Sequence, residues 1–164
     1  MHKFYISLGS NMGDSSAMLE EALSALNSHP ELSLQRVSSR YSTEPQGYRE
    51  QPWFCNQAAM GECGMDAEEL LCLLLITENS LGRERDPNLH FGPRRIDIDL
   101  LLFDDLVMQT PRLTLPHPRM AERAFVLVPL LELDPLLKMP DGRPLSSILA
   151  SLTYRQEGNR IYQN

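Results

Sequence analysis

The sequence predicts an α+β fold, an antiparallel sheet with two helices packed on one face. Three observations predict it. Four β-rich segments and two helix-periodic segments follow one another in the order β-α-β-β-α-β. Turn and loop residues separate them. The chain has 164 residues, 42% of them hydrophobic, enough for one domain over 1–164 with a core that needs no disulfides.

The elements can be justified in order. Residues 3–9 (KFYISLG) are β-rich and run into a Gly-Ser-Asn turn signal. Over 15–28, Met18, Leu19, Ala22, Leu23 and Leu26 fall at helical spacing, with Asp14 or Ser15 as N-cap. Residues 32–42 alternate as one strand. Residues 43–52 (TEPQGYREQP) are a loop, and 53–62 (WFCNQAAMGE) a further strand. Asp66 caps a second helix over 66–81, which Gly82 stops. A long loop, GRERDPNLHFGPRR, leads into a strand near 95–103, and Asp104-Asp105 turn the chain into a short strand near 106–108. The proline-punctuated remainder holds a short helix near 120–132 and another over 145–151. The polar tail after 153 is expected to be loosely held. The order through residue 103 is the ferredoxin-like arrangement. The C-terminal elements are expected to cover the other face of the sheet, giving a three-layer αβα sandwich.

The net charge of −7 argues against a general nucleic-acid binder but leaves room for a local anion site. Thirteen of the fifteen positive residues are arginines, and seven of these fall between Arg83 and Arg123. The guanidinium fork matches phosphate and carboxylate, although codon bias also enriches arginine. Cys55, Cys63 and Cys72 lack close metal-ligand spacing and read as free thiols. No signal-like segment opens the chain and no apolar run approaches ~20 residues, so a cytoplasmic protein without a membrane span is expected.

The stretch HFGPRRIDIDLLLFDD, residues 90–105, sets two aspartates inside an apolar run. Strand alternation points Ile96, Ile98 and Leu100 one way and Asp97 and Asp99 the other. Two neighbouring carboxylates repel, and a divalent cation removes the conflict. Mg²⁺ takes oxygen ligands and often binds through one or two carboxylates plus substrate phosphates. A bare Asp-x-Asp is more often a solvated face. Here Arg83, Arg85, Arg94 and Arg95 precede it, and metal with arginine around a polyphosphate is the recurrent equipment of phosphoryl transfer. The chain has neither a Walker loop nor GxGxxG; Gly9, Gly13 and Gly47 read as turn residues, and His2 and His29 as surface or structural histidines.

With HFGPRRIDIDLL quoted, three further blocks carry a resemblance: LGSN (Leu8 to Asn11), TEPQGYREQPWFCN (Thr43 to Asn56) and RLTLPHPRMAERAFVLVPL (Arg112 to Leu130). Together, in this order, they resemble the 6-hydroxymethyl-7,8-dihydropterin pyrophosphokinases of folate biosynthesis, over about residues 4–150. The resemblance implies transfer of the β,γ-pyrophosphoryl group of ATP to the pterin hydroxymethyl oxygen, with AMP leaving. Asp97 and Asp99 would hold two Mg²⁺ carried with ATP, and Arg85 and Arg94 would join them as catalytic residues. Glu78, Arg85, Arg94, Arg112, Thr114, His117 and Arg123 would bind ATP, His117 as a fixed polar contact and not a base. Thr43, Gln46, Phe54, Asn56, Phe91 and Phe125 would form the pterin pocket: two aromatics stacking the ring, Asn56 reading its amide edge, backbone groups of Thr43 and Gln46 assisting. The resemblance also implies a monomer with mobile loops over 10–15, 43–52 and 83–94. Leu75 stands where some members have glutamine, Phe91 where tryptophan is frequent, His90 where arginine is found, and Pro118 where an aromatic can occur.

Two other classes compete. A palm-type nucleotidyl transferase also places Asp-x-Asp on a ferredoxin-like sheet, but attacks the α-phosphorus. A non-enzymatic ferredoxin-like module that binds RNA needs paired aromatics and a basic face where this chain has Asp97, Asp99 and net negative charge.

Overall fold

The computed structural model of the chain describes residues 1–47, 50–82 and 96–163. The first part of the chain forms β1 (His2–Ser10), α1 (Ser15–Asn27), β2 (Leu32–Val37), β3 (Tyr41–Thr43), β4 (Phe54–Cys63), α2 (Ala67–Ser80) and β5 (Asp97–Phe103). There follow a two-stranded ladder of β6 (Met108–Gln109) and β7 (Thr114–Leu115), a 3₁₀ turn over Met120–Glu122, α3 (Ala124–Leu133), α4 (Leu145–Ala150), β8 (Arg155–Glu157) and β9 (Arg160–Tyr162). The fold is α+β. Among the described residues the main sheet has seven strands in the order β5-β1-β4-β3-β9-β8, with β2 also on β4. Its pairings are antiparallel except β3 with β9.

Strand alternation divides the core in two. Phe4, Ile6 and Leu8 of β1 pack with Leu19 and Leu26 of α1 and Leu70 and Leu74 of α2. Tyr5, pointing the other way, joins Val126, Leu127 and Leu130 of α3 and Leu145 and Ile148 of α4. Each fully buried leucine or isoleucine contributes about 1.5–3 kcal/mol. The β1–β5 register shifts between Tyr5 and Ile6, which face Leu102 and Leu100. The extra residue, Leu101, lets both Leu101 and Leu102 enter the second core, while Ile96, Ile98, Leu100 and Phe103 stay in the first.

Local chemistry sets the helix ends. The Asp14 carboxylate accepts the Ala17 N–H at 3.1 Å, so Asp14 and not Ser15 is the cap of α1. Asp66 and Glu69 form a reciprocal capping box at α2, and Gly82 follows its end at φ +83°. The helix expected near 120–132 begins instead as a 3₁₀ turn. Arg123 is extended (φ −117°, ψ 105°), and α3 starts only after it.

Two further expectations about the strands and the tail need correction. Residues 32–42 are two strands. After a register shift between Leu34 and Arg36, the chain leaves the ladder at Ser38, whose N–H donates to the Ala58 carbonyl while its hydroxyl oxygen accepts the Ala58 N–H. The strand resumes at Tyr41 opposite Asn56. The tail is not loosely held. Glu157 pairs with Arg160 across a Gly158-Asn159 turn, Gly158 at φ +58°, and β9 lies parallel to β3 with Ile161 buried. The Arg160 guanidinium lies 5.1 Å over Trp53, and Arg155 3.9 Å over Tyr162. A polar composition hides one buried anchor and two stacked cations.

Candidate active site

The β1–β5 register places Asp97 opposite Gly9 and Asp99 opposite Ser7. Ile96, Ile98 and Leu100 go into the core, and the two aspartates, half-buried, share the other face. Between them, the Ile98 N–H donates at 2.6 Å to the Glu78 carboxylate, which is 2% exposed. This bond fixes the outer edge of β5 at the residue separating the aspartates. Glu78 thus acts on the backbone that carries the pair as well as lining the cleft next to it.

Two clefts meet at the pair. The smaller, with about 60 Å³ of internal space, has Ser7, Gly9, Asp97 and Asp99 for its floor. Thr43, Glu44 and Gln46 form one wall; Phe54 and Asn56 of β4 and Arg123 and Phe125 at the start of α3 complete it. Asn56 is buried, and its amide nitrogen donates to the Thr43 hydroxyl at 2.5 Å. Its amide oxygen lies over Gly9, where a Cβ would sit only 2.6 Å away. Just beyond β1, Asn11 donates to the Gln51 side chain and the Pro52 carbonyl, both at 2.9 Å. The Gln46 side chain donates to the Gln163 carbonyl at 2.7 Å. The Arg123 guanidinium stands 5.5 Å over the Phe125 ring.

The larger cleft holds about 450 Å³. Asp97 and Asp99 line it too, with Glu78, Arg112, Thr114 and His117, and Leu71 and Leu75 of α2 give it an apolar side. Burial and the nearby Arg123 and Arg119 push the His117 ring down to about 4, against the pull of Asp97. The ring is therefore neutral near pH 7. Its Nδ1 accepts the Arg119 N–H at 3.2 Å, which assigns the proton to Nε2. Arg112 donates to Cys72 Sγ at 3.0 Å.

The structure thus brings Thr43, Gln46, Phe54, Asn56, Arg123 and Phe125 to one side of the aspartates and Glu78, Arg112, Thr114 and His117 to the other. Arg85, Phe91 and Arg94 lie outside the described residues. Ser7 and Glu44 were not legible as lining residues, and Gly9 is not a turn residue: it is a strand residue whose missing side chain admits Asn56. Register across two strands sets these roles, and no local pattern signals them. Among the described residues no three His, Cys, Asp or Glu side chains cluster as a metal site. The donor set of two carboxylates between two clefts fits Mg²⁺, which completes its shell with substrate phosphate and water.

The family model for 7,8-dihydro-6-hydroxymethylpterin-pyrophosphokinase matches residues 5–135. A Pseudomonas aeruginosa protein named 2-amino-4-hydroxy-6-hydroxymethyldihydropteridine pyrophosphokinase is 40% identical over 154 residues, 94% of each chain. A Bacillus subtilis protein of the same name is 44% identical over 129 residues, covering 79% of this chain and 76% of its own. Among solved structures, the Plasmodium falciparum HPPK-DHPS crystal structure with pteroate superposes with a TM-score of 0.73 at 13% identity. The match covers 91% of this chain and 42% of that one, so this chain spans less than half of it, and the likeness speaks for the fold. With the family model spanning most of the chain and relatives at this identity, the chain belongs to the 7,8-dihydro-6-hydroxymethylpterin pyrophosphokinase family.

Proposed function

We propose that this chain transfers the β,γ-pyrophosphoryl group of ATP to the hydroxymethyl oxygen of 6-hydroxymethyl-7,8-dihydropterin in folate biosynthesis. The observation that carries the reading is the junction of two clefts at one aspartate pair, which suits an acceptor and a donor meeting at a polyphosphate. The acceptor oxygen bonds to the β-phosphorus, the bond from that phosphorus to the α,β-bridging oxygen breaks, AMP departs, and the hydroxyl proton passes to solvent.

The chain's own groups divide the work. Phe54 and Phe125, with Phe91, stack the flat bicycle, and Asn56, held by Thr43, reads its amide edge. Thr43 and Gln46 add backbone contacts. Arg85, Arg94, Arg112 and Arg123 counter the triphosphate charge, Arg85 and Arg94 as catalytic residues in this reading. Thr114 and Glu78 line the nucleotide side, and neutral His117 offers its Nε2–H as a fixed donor. Asp97 and Asp99 would hold Mg²⁺, two ions in this reading, which supplies charge screening and acidifies the acceptor hydroxyl. No side chain is needed as a strong general base.

The same reading takes the fold as ferredoxin-like and three-layered, supported by an order that becomes β-α-β-β-α-β when β2 and β3, both antiparallel to β4, count as one interrupted strand, and by the two cores on opposite faces. It takes 1–164 as one monomeric, cytoplasmic domain that binds no nucleic acid; no described helix is long and apolar enough to cross a membrane. ³¹P NMR with MgATP, with and without the pterin, tests the function. AMP and a pterin diphosphate appearing only with pterin is the expected result. Free pyrophosphate means nucleotidyl transfer, and ADP means single-phosphoryl transfer; either overturns the reading.

A further inference from the structure

We infer that Gln163 is a positioning residue for the pterin cleft, an inference that rests on the reading above. The residue lies beyond the 5–135 stretch that the family model matches. Its amide works on both sides of Arg123. Nε2 donates to the Glu122 carbonyl at 2.9 Å, and Oε1 accepts the Ala124 N–H at 2.8 Å. Ala124 opens α3, and Arg123, the N-cap residue, makes no capping bond with its side chain. Gln163 therefore caps α3 from a distant part of the chain, satisfying one of the N–H groups that every helix start leaves over. In doing so it sets the peptide carrying Arg123 and, one residue into the helix, Phe125.

The opposite wall is tied to the same tail. The Gln163 carbonyl accepts from the Gln46 side chain, Thr43 pairs with Ile161, and the Glu44 N–H donates to the Ile161 carbonyl at 3.2 Å. One strand end thus spaces the Thr43–Gln46 wall from the Arg123–Phe125 wall. Among the described residues, the groups that Gln163 bonds to line the smaller cleft or flank Arg123, and none lines the larger one, so the effect on the pterin should exceed the effect that reaches ATP through the Arg123 charge.

The test is Gln163→Ala in the full chain, with Arg155→Ala as a control that loosens the outer strand of the hairpin without touching either wall. KM for each substrate, kcat and the melting temperature are measured. The pterin Kd is measured by calorimetry in the presence of Mg²⁺ and α,β-methylene ATP. The expected result for Gln163→Ala is a three- to tenfold rise in KM and Kd for the pterin, the size of one or two lost neutral hydrogen bonds. KM for ATP and kcat stay within about twofold, and Arg155→Ala moves neither KM. Unchanged pterin constants, or pterin and ATP constants shifting together with the melting temperature, overturn the inference. Amide hydrogen exchange gives a readout independent of turnover. Faster exchange confined to 43–47 and 122–125 in Gln163→Ala supports the positioning role even if the wild type transfers nothing, an outcome that removes the functional reading alone. Unchanged exchange there removes the inference.

Discussion

Asp97 and Asp99 owe their placement to the shortest-range rule in the chain, the alternation of a strand. That is why the pair was legible from sequence alone. Flanking isoleucines and leucines commit one face to the core, and the carboxylates take the other. In the proposed reading, replacing either aspartate with alanine removes half of the protein's oxygen donors to Mg²⁺. We expect turnover to fall about a thousandfold or more, with the melting temperature within a few degrees of wild type. Steady-state assay and thermal denaturation check both halves, and wild-type-like activity in either variant would sink the metal assignment. His117 carries a pH prediction. Its pKa lies near 6.5 in the unfolded chain and is lowered to about 4 by burial and the adjacent arginines. Between these values the unfolded chain binds a proton that the folded chain refuses. Stability from this group is therefore complete above about pH 6.5 and is lost as pH falls toward 4, after which no more is lost. Allowing for the partial exposure of the ring, the loss by pH 5 is about 1–2 kcal/mol. Urea unfolding at pH 7 and pH 5 should show that loss in wild type and a smaller one in His117→Asn.

At the scale of elements, glycine shows where sequence reading stops. Gly9 and Gly61 both lie inside strands, and each makes room for a neighbour that is remote in sequence. A Cβ on Gly61 would stand 2.3 Å from the Ser33 carbonyl oxygen, beside the register shift of β2. Backbone must move to admit it, and Gly61→Ala should cost about 2–4 kcal/mol in urea unfolding while the folded fraction keeps its activity. At Gly9 the obstacle is the Asn56 amide oxygen, at 2.6 Å. Gly9→Ala should displace that amide and raise KM for the pterin at least several-fold, more than KM for ATP, with a smaller loss of stability. Equal shifts in both constants would mean that Gly9 serves the strand and not the cleft. The first two helices were legible to within a residue or so, because capping residues and the 3.6 period are local signals, whereas α3, with no capping side chain of its own, starts four residues later than expected. The break at Ser38 and the C-terminal hairpin were not. The first depends on a serine hydroxyl replacing a ladder bond to Ala58, and the second on a single buried residue, Ile161, among exposed polar ones.

Across the whole molecule, the sheet separates what holds the chain together from what the aspartates do. The two cores lie against the helix pairs, and the smaller cleft opens where β1 ends and β4 and β5 begin, beside the start of α3. The order of elements through β5 could be read from sequence, apart from the split of 32–42 into β2 and β3, because each is local. The way β3 and β9 close one wall of the smaller cleft could not, because it joins residues more than a hundred apart. This separation predicts how the molecule responds to metal. The aspartates are half-buried at a junction of clefts, and no three-ligand cluster occurs among the described residues. In the proposed reading Mg²⁺ is part of the substrate complex and not of the fold. Without nucleotide, EDTA should leave the melting temperature unchanged within a degree. MgATP at a hundred times its Kd should stabilise the chain by about 2.7 kcal/mol, a rise of roughly 5–10 °C for this size. ATP with EDTA should lose most of that rise, because the triphosphate would face Asp97 and Asp99 with its charge unscreened. Differential scanning fluorimetry of the four combinations decides it. A melting temperature that falls on chelation alone would mean that a metal ion holds the fold, and would require ligands from outside the aspartate pair.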